Sequence, residues 1–248
     1  MRRVNLIPMA GAGQRFVDAG YNVPKPLIEI DGLPMVVQAA KTLPPADNWI
    51  FICRDEHVCE YEIDQKLNRH FPDAKIVHAS YLTEGQACTC LLAKEYLYPD
   101  DELTIGACDN AVDYNLDTYK EQLSESDAIV WTFRNNRAVL RNPKMYGWVE
   151  IDQKGQVIKV SCKDPISEQP IKDHAVVGTF SFKRADTFIR CVESMIAKDR
   201  RINGEFFMDV ALDECIQLGC VVRTVEVQKY VCWGTPKDLI EYNIGGNE

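Results

Sequence analysis

The chain has 248 residues, 46% of them hydrophobic and 26% charged, enough to bury a substantial core in one large α/β domain or two small ones. A formal net charge of −9, from 28 basic and 37 acidic side chains, argues against nucleic acid or an anionic membrane surface as the main partner. No apolar run approaches the roughly 18 residues of a membrane span, and Met1-Arg2-Arg3 leads straight into a core strand, unlike a secretory leader.

The first element is an apolar run, Val4-Asn5-Leu6-Ile7-Pro8-Met9, of strand length. It ends in Ala10-Gly11-Ala12-Gly13, followed by Arg15. Glycines let backbone approach a bulky anion, and successive N–H groups there can cradle phosphate oxygens. Arg15 adds a planar cation suited to phosphate, and Lys25 sits on a stem stiffened by Pro24 and Pro26. The segment reads as a mouth for polyphosphate. A dinucleotide fingerprint would need a third glycine where Phe16 stands, and a P-loop would need Gly-Lys-Ser/Thr, which is absent. On the glycines alone, an ordinary strand-to-helix turn is the plain alternative.

Further along, the pattern predicts a helix over Met35–Leu43, a strand over Trp49–Cys53 and an amphipathic helix over Glu56–His70. A strand over Lys75–Ala79, a helix over Gln86–Leu97 and a strand over Leu103–Ala107 follow. This alternation indicates βαβ units and a mostly parallel sheet. Past residue 125 the pattern changes. Strands are expected at Ala128–Phe133, Tyr146–Ile151 and Val157–Cys162, the last two joined by a type I turn at Asp152–Gly155. Then come a strand (Ala175–Phe182), helices (Ala185–Ile196 and Phe207–Leu218), a strand (Cys220–Val227) and a last helix from Pro236 to about Asn243. No linker or repeat interrupts the chain.

Asp109 follows a buried strand, at the rim where open α/β sheets bind ligands, and magnesium with a nucleotide commonly uses one or two carboxylates plus phosphate oxygens. A turn-forming Asp-Asn pair is the bland alternative. Thr83 to Gln86 has capping-box spacing. The ten cysteines show no metal-ligand spacing and are expected to be reduced, core-filling thiols; the four histidines show none either.

Gly11-Ala12-Gly13-Gln14-Arg15-Phe16 followed by Pro24-Lys25-Pro26-Leu27-Ile28 resembles the start of the sugar-phosphate nucleotidyltransferases. The resemblance implies a three-layer α/β/α fold with a mixed, mostly parallel sheet and a Rossmann-like nucleotide-binding half. It implies one domain over 1–248, with a nucleotide half (1–125) and an acceptor half (126–248). Ala10, Gly11, Ala12 and Gly13 would hold the nucleotide, with Gly85 and Gln86 at the base. Arg15 and Lys25 would act on the phosphates and Asp109 would hold catalytic Mg²⁺. Lys163, Gly178, Glu205 and Asp209 match acceptor-side segments. One departure stands out: Cys232, before Gly234-Thr235-Pro236, occupies the place of a second metal-binding Asp. A neutral thiol is a poor ligand for hard Mg²⁺.

The implied activity joins an NTP, with CTP favoured, to a small phosphorylated acceptor such as a sugar 1-phosphate, phosphocholine or a phosphorylated amide or alcohol. Pyrophosphate is released, and the product would serve surface glycan or capsule synthesis in the cytoplasm. A phosphate monoester is already a nucleophile near neutral pH, so the site needs cations rather than a general base. A homo-oligomer is allowed; nucleic acid and membrane partners are not expected. The rival classes are a non-catalytic nucleotide-binding protein, for which Cys232 speaks, and a glycosyltransferase. The latter would want an Asp-x-Asp that Asp109-Asn110-Ala111 does not supply. A nicotinamide oxidoreductase is disfavoured by Phe16.

Overall fold

The computed structural model describes residues 1–245. Its opening run forms β1 (Arg3–Pro8) and passes through the glycine loop into the short α1 (Gln14–Asp18). β2 (Glu29–Ile30) and β3 (Leu33–Pro34) make a hairpin around Asp31-Gly32, whose φ values of 48° and 79° are those of a primed two-residue turn. There follow α2 (Met35–Ala40), β4 (Asn48–Arg54), α3 (Asp55–Tyr61), α4 (Ile63–Asn68), β5 (Lys75–Ala79) and α5 (Gln86–Leu91). Next come β6 (Glu102–Ile105), β7 (Asn110–Asp113), α6 (Leu116–Ser124), β8 (Ala128–Phe133), α7 (Ala138–Arg141), β9 (Gly147–Ile151) and β10 (Val157–Cys162). The last are β11 (His174–Phe182), α8 (Ala185–Ala197), α9 (Met208–Gln217), β12 (Val222–Glu226), β13 (Lys229–Cys232) and α10 (Pro236–Gly245).

Nine strands form one mixed sheet. Its main path runs β10-β9-β11-β6-β1-β4-β5, and β8 extends it from β11 to β12. β1 pairs in parallel with β4 and β6, β4 with β5, and β8 with β12. β11 is antiparallel to β6, β8 and β9, and β10 to β9. Only β10 and β11 therefore run against the rest. Strands near the centre bury both faces, as Leu6 and Ile7 show, each at 0% exposure. Leu6, Ile50, Ile105 and Phe180 pack against residues of α5, α8 and α9. On the opposite face Ile7 and Phe51 meet α2 and α4, and Trp131 meets Tyr119 and Leu123 of α6. The three layers follow from this.

Several expected elements differ. The helix over Glu56–His70 is two helices, broken at Glu62 in a left-handed conformation (φ 51°). The break has a packing reason. Val58 and Ile63 are five residues apart and would leave one stripe of a continuous helix, whereas the reset puts Ile63 and Leu67 together against β4. The helix over Gln86–Leu97 stops at Leu91 and gives way to a short 3₁₀ turn at Lys94–Tyr96. Thr83 does not cap α5. Its hydroxyl bonds the Gly85 carbonyl (3.1 Å) and the Thr89 hydroxyl, and the capping position is Gly85. The turn at Asp152–Gly155 has the expected bond from Gly155 N–H to Asp152 O, 3.1 Å. Four strands and two helices were not anticipated: β2 and β3, β7 and β13, each pair antiparallel, and α6 and α7.

Gly85 is the joint between the two halves of the sheet's helical layer. Its φ is 132°, and a Cβ there would lie 2.5 Å from the carbonyl oxygen and 2.6 Å from the nitrogen of Phe206. The Phe206 N–H donates to Glu84 O at 2.8 Å, and Ala87 N–H to Phe206 O at 3.1 Å, so neither backbone can retreat without losing bonds. Gly85→Ala should cost about 2–4 kcal/mol of stability, checked by urea denaturation.

Candidate active site

Two adjoining clefts open at the carboxyl edge of β1, β4 and β6. The first, about 540 Å³, is lined by the glycine loop from Ala10 to Gly13, by Pro24-Lys25-Pro26, and by His57, Tyr61 and Gln86. The second, about 410 Å³, is lined among others by Arg15, Lys25, Gln86, Asp109, Gly178 and Asp209. Lys25 and Gln86 border both, so the two spaces meet between them.

The glycine loop has two kinds of glycine. Gly13 is left-handed (φ 62°) and begins α1, so the turn itself demands it. Gly11 is different: a Cβ there would meet nothing within 4 Å. Nothing in the packing requires a glycine at that point; what its missing side chain leaves clear is the mouth of the cleft. Phe16, at 1% exposure, is a core residue, with the Lys25 ammonium 5.5 Å from its ring centroid.

Lys25 forms a salt bridge with Asp109, the two side chains being 17% and 25% exposed, and reaches Gly234 O at 3.4 Å. Burial pulls against the lysine's charge, but the charge of Asp109 and further interactions more than offset it, so its pKa lies above the ordinary value. The pairing of β7 with β13 puts Cys232 opposite Asn110, and Trp233 N–H bonds Asp109 O at 2.8 Å. The segment after β13 is thereby delivered to Asp109. Cys232 receives the Gly234 N–H at 3.3 Å and lies 3.8 Å from an Asp238 oxygen. Burial first, and the charge of Asp109 next, push its thiol up to about 11, so it is neutral at physiological pH. Asp238 is held by Thr235, whose hydroxyl donates to its carboxylate (2.7 Å) and accepts its N–H (3.2 Å).

On the acceptor side, β11 is unevenly covered. It bonds β9 at His174–Ala175 and β6 at Phe180–Phe182, leaving Gly178 (φ 96°) between the two pairings and facing the second cleft. The Asn110 amide closes part of that gap by donating to Val177 O at 3.1 Å. Asp209, in the first turn of α9, lies over Gly147, where a Cβ would come within 2.7 Å of its carboxylate. Burial raises its pKa to about 6, against the lowering effects of the Cys162 thiol and the Lys163 charge. Lys163 adopts φ 59° and places its ammonium 4.1 Å over the Phe207 ring, and it is not among the residues lining either cleft. Glu205 is exposed in the turn before α9, and Gly85 packs on Phe206; neither lines a cleft.

The structure adds residues that sequence reasoning passed over. Arg141 from α7 and Lys237 from α10 bring two more cations to the second cleft, with Arg141 bonded to Glu241 at 2.7 and 2.9 Å. Tyr146, Tyr230 and Asp238 line it as well. Only the Thr235-x-x-Asp238 spacing carried a signal beforehand, as a helix-start pattern. Asp109 fits a hard divalent cation that completes its shell from phosphate and water, while the neutral Cys232 thiol does not add to that donor set.

A carboxyl-edge cleft with a glycine loop, converging cations and one strand-end carboxylate defines a nucleotide-handling α/β protein. Residues 4–240 match the family described as nucleotidyl transferase, and the chain belongs to that family. Its fold is shared by a nucleoside-diphosphate-sugar pyrophosphorylase from Vibrio cholerae RC9 (TM-score 0.78, 21% identity, 96% of this chain and 98% of that one). It is shared too by the inositol-1-phosphate CTP transferase from T. maritima (TM-score 0.75, 14% identity, 96% and 91%). No curated protein sequence matches the chain.

The raised pKa of Asp209 has a consequence for stability. The folded state holds that proton more tightly than the unfolded chain, so the protein loses stability as pH rises from about 4 through 6. Asp209→Asn should lack this loss, and its advantage over the parent should grow by about 2–3 kcal/mol between pH 4 and 7 in denaturation experiments.

Proposed function

We propose that this nucleotidyltransferase moves a nucleoside monophosphate, CMP from CTP by preference, onto a small phosphorylated acceptor and releases pyrophosphate. The observation that carries this is the junction of the two clefts at Lys25 and Gln86, which gives room for two substrates whose reacting phosphates meet between them. The nucleotide occupies the first cleft along Ala10–Gly13, in the space left clear at Gly11, with its phosphates toward the junction at Lys25 and Gln86. The acceptor occupies the second. A sugar 1-phosphate or a phosphorylated polyol suits it, because Asp209 offers a carboxylate to hydroxyl donors beside the Gly178 backbone. The inositol-1-phosphate CTP transferase among the structural relatives is consistent with both choices.

In the reaction an oxygen of the acceptor's phosphate dianion forms a bond to the α-phosphorus as the bond to the β-phosphate oxygen breaks. No base is needed for a nucleophile that is already ionised. Arg15 and Lys25 stabilise the charge on the α-phosphate and the departing pyrophosphate, drawing two anions together that would otherwise repel. Arg141 and Lys237 take the acceptor's phosphate, a role for which Lys163 is poorly placed. Asp109 would hold Mg²⁺, which when bound neutralises phosphate charge.

Pyrophosphate release with CTP, UTP, dTTP, ATP and GTP against a panel of phosphorylated acceptors tests this directly. CTP should give the fastest turnover; nucleotide binding without pyrophosphate release from any pair would identify a binding protein instead. Arg15→Ala should lower kcat at least about 100-fold with an unchanged melting temperature, since Arg15 is exposed and supports no packing. Cys232→Asp should lower the Mg²⁺ concentration needed for half-maximal rate, read by titrating the metal at saturating nucleotide.

A further inference from the structure

Three cysteines that the reaction does not use lie together, one of them more than twenty residues before the other two. Cys191 on α8 and Cys215 on α9 are fully buried, and Cys220, in the turn between α9 and β12, is half-buried. Their Sγ atoms all lie within 4.8 Å of one another. They interact chiefly among themselves, Cys215 hydrogen-bonding both of the others.

The dimensions suit a metal. A triangle with no side longer than 4.8 Å has a point within about 2.8 Å of every corner (4.8 Å divided by √3), against a zinc–sulfur bond of about 2.3 Å. Small side-chain rotations close that difference. The other fully buried thiols, such as Cys53 and Cys90, form no such group among the described residues. The group contains no carboxylate or imidazole, and an all-sulfur donor set selects soft d¹⁰ ions over the hard Mg²⁺ that Asp109 suits. Two charges of opposite sign, Asp127 and Arg190, are near enough to act electrostatically on Cys220, so the single negative charge left by three thiolates and one divalent cation has a cation close by. Cys220, being half-buried, leaves a side open for entry and for a water as fourth ligand.

We propose that Cys191, Cys215 and Cys220 bind one zinc-class divalent cation, releasing three thiol protons as the three metal–sulfur bonds form. The cation ties α8, α9 and the entry to β12 to one another. Because α9 begins at Met208-Asp209, it also steadies the helix that presents Asp209 to the second cleft. The site is structural, and it is separate from the chemistry at Asp109.

The test uses the full chain, stripped of metal and kept reduced. Titration with Zn²⁺ against a chromophoric chelator should show one tight equivalent, Cd²⁺ should give sulfur-to-metal absorption, and Zn²⁺ should raise the melting temperature. Cys220→Ser should weaken binding at least about tenfold while circular dichroism shows the fold intact. Cys59→Ser, at an exposed thiol outside the group, should bind as the parent does. The proposal is overturned by absence of a stoichiometric equivalent, by unchanged affinity in Cys220→Ser, or by loss of two thiols to a disulfide with no metal retained. Pyrophosphate release is read in parallel; since the cation sits apart from Asp109, failure of either result leaves the other standing.

Discussion

An ammonium and a carboxylate meet at the carboxyl edge of the sheet, and the site is assembled around them. Lys25 comes from the stiff segment after α1, Asp109 from the loop between β6 and β7, and the carbonyl of Gly234 from beyond β13 completes the contact. Withdrawing two charges partly from water costs several kcal/mol before attraction repays it, so a pair of this kind is a weak reason for a stable fold. It is a good reason for a receptive one. The lysine is a cation of the kind that draws phosphate, and the aspartate an anion of the kind that draws a hard divalent ion. The pair holds both groups at that edge with their charges balanced.

The two clefts draw on different parts of the sheet. The parallel strands β6, β1, β4 and β5 present their carboxyl ends to the first cleft, where loops between strand and helix collect backbone and cations. The second cleft depends on an irregularity. Because β9 and β6 pair with separate stretches of one edge of β11, the backbone around Gly178 lacks a strand neighbour on that side. The opening puts main-chain groups in the same cleft as the Asp209 carboxylate. Shape and charge therefore divide along the change from parallel to antiparallel pairing.

Much of this was legible in the chain. The alternation of apolar runs and amphipathic segments located most strands of the large sheet, because buried strands announce themselves by continuous Val, Ile and Leu. Gly11, Gly13, Arg15 and Lys25 stood out because few structural needs explain two glycines followed by a cation on a proline-stiffened stem. What stayed hidden was long-range. β7 and β13 are four residues each and are strands only because they pair with one another across more than a hundred residues. Arg141 sits in a stretch without a helical signal and Lys237 in an ordinary helix start, and only the fold brings them to the cleft. The break at Glu62 was masked by a sequence with good helix formers on both sides. The scattered cysteines gave no spacing signal, since α8, α9 and the following turn bring three of them together in space alone.

The pairing of β7 with β13 also orders events during synthesis. Residues 229–232 supply Tyr230 and Cys232 to the wall of the second cleft, yet they leave the ribosome more than a hundred residues after the strand they pair with. A nascent chain can lay down the parallel strands and the glycine loop early and still present Asp109 without its lid of Trp233 and Gly234. Chains interrupted before residue 229 carry the glycine loop but not the wall opposite it, so the second cleft is left open on one side.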